Sequence, residues 1–302
     1  MSISSAVASL RSAPHAHTEH LVVIRRGVPV AEESLGVRRP DEPADVFSVT
    51  KSVLGTLVLS AVREGRIGLD TTLGEALGDR VPPPRRAVRI RHLLAMTGGA
   101  ECGGPEAIDR VTALGGGWVR ALLESPQAHP PGTRFQYDNG AAHLLAAAVT
   151  EAVGDLRAYA ERIVFRPLGI ERWHWPVDPD GIAWGFSGLR VSATDLARIG
   201  EAWRTDAFAL GDLMRRATRP HTGGGAPEMR PYGWTFWTDT IAGHGVYYAA
   251  GWSGQVVLVV PDHLSVVVTG NPRFLTERSQ RPYPVVRELA AAEISQDPCG
   301  TR

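Results

Sequence analysis

The chain has 302 residues, 43% of them hydrophobic, and its 32 Lys and Arg balance 32 Asp and Glu. That supplies a core for one large domain or two closely joined lobes and excludes a chain disordered between its ends. With no net charge and scattered arginines there is no field to hold nucleic acid or an anionic membrane surface, so neither is expected as a partner.

Residues 1–20 lack the apolar stretch of a signal peptide, and no apolar run approaches the ~20 residues of a membrane helix. A cytoplasmic protein is expected. His15, His17 and His20, with Glu19, form a histidine-rich patch that reads as a mobile, solvated N-terminal segment rather than a metal site. Arg25-Arg26-Gly27 reads as the tip of a hairpin between strands at 21–24 and 28–31.

Next comes Ser48-Val49-Thr50-Lys51, at the head of an apolar pattern (Val53, Leu54, Leu57, Val58, Ala61, Val62) with helical spacing. Residues i and i+3 share a helix face, so Ser48 and Lys51 meet in the first turn. Taken alone, this reads more simply as an N-cap serine followed by a solvated lysine. The chemical alternative is a serine hydroxyl activated by an amine of lowered pKa, with the helix N-terminus favouring the alkoxide.

From residue 66 to about 205 the chain carries helical stretches at 93–96, 119–123, 141–153, 156–164 and 194–203, joined by Pro- and Gly-rich turns. Cys102 and Cys299 form no C-x-x-C pair and imply free thiols, with no zinc knuckle or disulfide framework. Tyr137 falls on a loop after Pro131-Gly132, from which it can reach into a cleft. Asn139 is either the N-cap of the next helix or a site residue. Gly223-Gly224-Gly225 lacks the Lys-Ser or Lys-Thr of a phosphate loop. Strands are expected at 247–250, 256–260 and 264–269, with a kink at Gly251 and a turn at Pro261-Asp262-His263, and a closing helix at 285–294. Strands at both ends with helices between imply a sheet assembled from the two termini.

Taken together, these segments resemble the serine β-lactamase and penicillin-binding-protein superfamily. The resemblance is to its class C β-lactamase, D,D-peptidase and esterase branch, including aminohexanoate-oligomer hydrolases. Ser48-x-x-Lys51 resembles that family's nucleophile motif and Tyr137-Asp138-Asn139 its Y-x-N motif. Ala250-Gly251-Trp252 falls where the family has its third motif. Gly65 to Asp70, Ile90 to Gly99, Pro167 to Ile170 and Gly188 to Ala197 resemble further family segments, so the likeness spans about residues 20–290.

The resemblance implies an α+β, β-lactamase/transpeptidase-like fold. In it an antiparallel sheet from both chain ends is flanked by helices and carries a mostly helical inserted lobe. The α/β lobe is expected from residues 1–65 and 206–302 and the helical lobe from 66–205, with the catalytic cleft between them. It implies a serine hydrolase that cleaves an amide or ester of a small-molecule or peptide substrate through an acyl-enzyme, with no metal and no organic cofactor. Ser48 is expected as nucleophile, with Lys51 and Tyr137 sharing the acid–base work. Which of the two is the base is left open. Asn139 is expected to bond Lys51 or the substrate, and Gly251, Trp252 and Ser253 to line the oxyanion site with the N–H of Ser48. Acyl transfer to another nucleophile, or a non-catalytic sensor on the same fold, are the alternatives.

One departure stands out. Many relatives carry a cation at the third motif, where this chain has Ala249-Ala250-Gly251, resembling the aminohexanoate-oligomer-hydrolase-like sequences that also lack a lysine there; His244-Gly245 falls too early to replace it. Lys51 is the only lysine in the sequence, so a cation for a substrate carboxylate has to be an arginine from elsewhere, such as Arg230 or Arg273. Eight tryptophans are many for this length. Of these, Trp118, Trp184, Trp234, Trp237 and Trp252 fall in or near segments expected to border the cleft; a core role is the plainer reading of each, and several lining the cleft would imply a substrate with a sizeable apolar part.

Overall fold

A computed structural model describes residues 1–101, 105–261 and 263–296. Cys102, Cys299 and Asp262 lie outside the described residues. The strands are β1 (Thr18–Arg25), β2 (Val28–Ser34), β3 (Ala44–Asp45), β4 (Arg190–Val191), β5 (Thr222–Gly225), β6 (Arg230–Tyr232), β7 (Trp237–Ile241), β8 (His244–Ala250), β9 (Val256–Val260) and β10 (Leu264–Gly270). Eight of them form one sheet in the order β2-β1-β10-β9-β8-β7-β6-β5, and β3 pairs with β4. Every pairing is antiparallel, and Leu21 of β1 lies opposite Val268 of β10. The sheet is thus built from the two ends of the chain, and the fold is α+β.

The helices are α1 (Ile3–Arg11), α2 (Val49–Arg63), α3 (Leu73–Leu77), α4 (Ile90–Leu94), α5 (Pro105–Thr112), α6 (Trp118–Leu123), α7 (Asn139–Val153), α8 (Leu156–Ala160), α9 (Ala193–Arg204), α10 (Asp212–Ala217) and α11 (Tyr283–Ser295). The helix expected over 156–164 is α8 followed by a π-helical turn at Glu161–Phe165. Central strands β9 and β10 are buried along their whole length. They are covered by α11 on one side and α9 on the other, which is why they read as continuous apolar runs rather than alternating ones. Gly200 lets α9 lie directly on the sheet, since a β-carbon there would come 2.8 Å from Val257 Cγ1. α9, expected within the helical lobe, packs instead on β1, β9 and β10.

The N-terminal segment differs from its expectation. It is neither mobile nor solvated. Ser2 caps α1 through its side chain, and Ala6 and Leu10 are fully buried, with α1 packed on α11 and β1. His15, His17, His20 and Glu19 are buried too. His20 and Glu19 find internal partners that a solvated reading overlooks. His20 Nε2–H donates to the Arg38 carbonyl (2.8 Å) while its Nδ1 accepts from the Thr269 hydroxyl (2.7 Å). The Glu19 carboxylate accepts from Asn271 Nδ2 (2.7 Å) and the Arg38 N–H (2.8 Å). Burial holds the pKa of His17 and His20 below the usual imidazole value.

If α1 is part of the core, Leu10→Ala lowers stability by about 2–5 kcal/mol, the range for an emptied leucine site. Urea unfolding checks this, and a loss below about 0.5 kcal/mol would return α1 to the status of a loose end.

Candidate active site

Ser48 immediately precedes α2, yet it does not cap it. Its dihedrals are helical (φ −68°, ψ −7°) and its side chain accepts no capping bond. The N-cap alternative left open by the sequence is therefore not what the hydroxyl does. The turn that presents it is unusual. Phe47 has φ +48°, a left-handed conformation that costs a non-glycine residue about 1–3 kcal/mol. Asp45 holds the turn by accepting from the Phe47 N–H at 2.6 Å.

One turn on, Lys51 is 1% exposed. Its Nζ lies 2.9 Å from Ser48 Oγ and donates to the Phe186 carbonyl at 2.9 Å. Burial drives its pKa down to about 7, and the nearby Asp138 carboxylate pulls only partly the other way. A buried amine of this kind is half neutral near pH 7, so it can accept a proton.

Tyr137 arrives from the loop before α7. Burial pushes the pKa of its hydroxyl up to about 12, and interaction with the Ser48 hydroxyl pulls only partly the other way. Lys51 Nζ sits 4.8 Å from the Tyr137 ring centre. The ring stacks on Trp237 (5.5 Å, 22°) and meets Tyr232 edge-on (6.1 Å). Ser48, Lys51 and Tyr137 are thus brought together in contact.

The other site residues divide. Asn139 opens α7 and is half-buried, while the helix is capped by Asp138, whose carboxylate accepts from the Gly140 N–H (2.7 Å). Among the described residues Asn139 makes no hydrogen bond to Lys51, whose partners are Ser48 and Phe186. Gly251 is required by close approach, since a β-carbon there would come 2.7 Å from the Val46 carbonyl. Trp252 is 60% exposed, its ring against Phe47 at 5.7 Å. Among the described residues neither the Ser48 nor the Trp252 N–H donates to a protein acceptor. Ser253 is fully buried and accepts from Gln255 Nε2 (2.8 Å), so it braces the loop from behind and cannot line the cleft.

Of the tryptophans, Trp237 backs Tyr137, and Trp184 stacks on Phe186 (5.5 Å, 15°) with Trp118 beside it. Trp234 is instead sandwiched by His221 and Arg216. His244 stands at the far end of β8 against His263. A concavity between β2 and α9, bordered by Pro29, Glu32, Ala197 and Glu201, lies apart from these residues and contains none of Ser48, Lys51 or Tyr137.

Five residues escaped the sequence reading: Phe186, His143, Asp178, Arg281 and Glu228. The Phe186 carbonyl is a backbone group and leaves no mark on residue type. Its loop is secured by a fully buried pair, His143 Nε2 to Asp178 Oδ2 at 3.0 Å. Arg281, from the segment before α11, acts electrostatically on Tyr137 and pairs with Glu228. Arg230 and Arg287 are both engaged by Asp239, and Arg273 is exposed.

The family model described as Beta-lactamase matches residues 9–292. No curated protein matches the chain. Among solved structures, a candidate 6-aminohexanoate-dimer hydrolase from Bacillus anthracis is 20% identical, with a TM-score of 0.76, covering 93% of this chain and 80% of that one. EstCE1, a hydrolase with promiscuous acyltransferase activity, is 17% identical (TM-score 0.78, covering 95% and 98%). A D-stereospecific amidohydrolase from Streptomyces sp. is 18% identical (TM-score 0.73, covering 99% of both chains). These likenesses are ones of fold.

The buried amine has a consequence for stability. Its folded pKa of about 7 lies below the ~10.4 of an unfolded lysine. Between those values the unfolded chain carries a proton that the native one lacks, so stability rises with pH across the window. Below about 7 the penalty is complete and constant. Lys51→Met flattens the rise of unfolding free energy between pH 7 and 10, as read by urea titrations at several pH values. Equal slopes in the two proteins would mean that the amine stays charged in the fold.

Proposed function

Since the chain belongs to the Beta-lactamase family, we propose that it is a serine hydrolase that opens an ester or amide through an acyl-enzyme on Ser48. The observation that carries the reading is the contact of Ser48 Oγ with a buried amine of lowered pKa at 2.9 Å. Neutral Lys51 takes the serine proton as Oγ attacks the carbonyl carbon, while its own N–H stays on the Phe186 carbonyl. The developing oxyanion accepts from the Ser48 and Trp252 N–H groups, donors typically worth about 3 kcal/mol each. Tyr137, a neutral phenol with a pKa near 12, is unsuited to be the resting base. It hands its proton to the leaving group and recovers one from Lys51. Water then releases the acyl group. Gly251 permits the close packing that brings the Trp252 N–H to the site, and Asn139 is placed to meet the acyl side of the substrate.

Acyl transfer to an alcohol or amine is a second outcome of the same intermediate. The aromatic surroundings, Phe47 and Trp252 at the mouth and Trp237 behind Tyr137, favour apolar acceptors over water.

Mass spectrometry after treatment with a fluorophosphonate or an activated ester is expected to show an adduct on Ser48, and none on Ser48→Ala. Aryl-ester turnover by Ser48→Ala at the wild-type rate would remove this serine from the mechanism. Tyr137→Phe is expected to lower kcat/KM by about 10²-fold or more. The wild-type kcat/KM should rise through a single ionisation near pH 7, because Lys51 must shed its proton to serve as base. A profile flat from pH 5.5 to 8.5 (a range chosen to bracket that ionisation by about 1.5 units on each side) would exclude the lysine as base.

A further inference from the structure

Glu228 and Arg281 come from segments far apart in the sequence. Glu228 stands in the hairpin between β5 and β6. That hairpin packs on the Tyr137 loop through Gly225, where a β-carbon would sit 3.5 Å from Phe135 Cδ1. Arg281 lies in the segment between β10 and α11. Its neighbour Pro282 packs on Gly254, in the loop that carries Trp252, with Cδ 3.3 Å from a β-carbon there. The segment is pinned by the Gln280 N–H donating to the Pro14 carbonyl (3.1 Å) and by His15 Nδ1 on the Gln280 carbonyl (3.0 Å). The Arg281 guanidinium pairs with the Glu228 carboxylate, whose side chain is only 5% exposed against 36% for Arg281.

Among the described residues Arg281 is the cation whose charge acts on Tyr137. Each group acts electrostatically on the other. The strand that would supply a cation in relatives offers Ala249 and Ala250, and Arg230 and Arg287 are committed to Asp239. Arg281 arrives, therefore, with its charge already answered.

We propose that Glu228 is a built-in stand-in for a substrate carboxylate: by holding Arg281 it keeps the leaving-group side of the cleft electrically neutral and turns away substrates whose leaving group is anionic. The inference rests on the serine-hydrolase reading above, in which Tyr137 marks the leaving-group side. An anionic leaving group must either displace Glu228, stranding a buried carboxylate without its partner, or sit beside it as a like charge. Both are costly. A neutral leaving group meets neither penalty.

Two butyrate esters of matched size test this, one of 4-hydroxybenzamide and one of 4-hydroxybenzoate, each kcat/KM normalised to that ester's own hydroxide rate. The wild-type enzyme is expected to favour the neutral ester by about tenfold or more, a difference of about 1.4 kcal/mol. Glu228→Gln keeps the shape and frees Arg281, and should raise the carboxylate-to-carboxamide ratio by about tenfold. That gain should shrink as salt is added, because a partly exposed pair is screened. Adding Arg281→Met should return the ratio to its wild-type value. A ratio unmoved in Glu228→Gln, or one that stays high without Arg281, would overturn the inference. So would a wild-type enzyme that turns over both esters equally, whether or not any variant folds. Fluorophosphonate labelling of Ser48 in the same samples keeps the two readings apart, since its loss in wild-type enzyme strikes the hydrolase and not the gate.

Discussion

The burial of one primary amine is the constraint to which the rest of this molecule answers. Removing an ammonium from water costs several kcal/mol unless it is paired or gives up its proton. Lys51 partly gives up its proton, and the fold supplies what the remaining polar atoms need. That takes three separate pieces of chain: α2 for the lysine and serine, the loop before α7 for Tyr137 and Asp138, and the loop at Phe186 for the carbonyl. A shift in any of them would leave the amine either solvated, and then charged, or unsatisfied. The buried His143–Asp178 pair and the Trp184–Phe186 stack, which touch no part of Ser48, fix the position of that carbonyl.

Ser48 shows the same logic from the other side. A serine at this place in a helix ordinarily turns back to cap the first N–H groups. Here helical dihedrals, preceded by a left-handed Phe47, swing the hydroxyl toward Lys51 and Tyr137 and leave its own N–H uncommitted. Asp45 and the short β3–β4 ribbon hold that turn. Local strain at Phe47 and a lost cap are what the helix gives up for a hydroxyl aimed out of it.

Much of this was legible in the residues. The i, i+3 spacing of Ser48 and Lys51 at the head of an apolar helix is a side-chain pattern, and so is a tyrosine on a Pro-Gly loop ahead of α7. The apolar runs of β9 and β10 announced strands at those positions. What the sequence hid falls into two kinds. Backbone groups such as the Phe186 carbonyl carry no residue signature. Contacts between distant, loop-borne charges, such as Glu228 with Arg281, have no periodicity to reveal them. α1 was missed for a different reason: its Ser- and Ala-rich sequence buries only Ala6 and Leu10, too sparse a pattern to separate a docked helix from a tail. Ser253 lay in the right motif, but the Gly251–Gln255 turn points it inward.

The closure of the sheet by the two ends of the chain bears on how this protein can fold. Thr18 lies opposite Gly270 across β1 and β10, so a largely buried pairing joins segments separated by nearly the whole sequence. Contacts of such range are entropically slow to form. During synthesis the β1–β2 hairpin must wait, one hydrophobic edge unpaired, until β10 has been made. For most of that interval Leu21, Val22 and Val23 present the kind of edge on which chains aggregate. Translation rate and chaperone supply, rather than native-state stability, would then govern how much active protein a cell recovers.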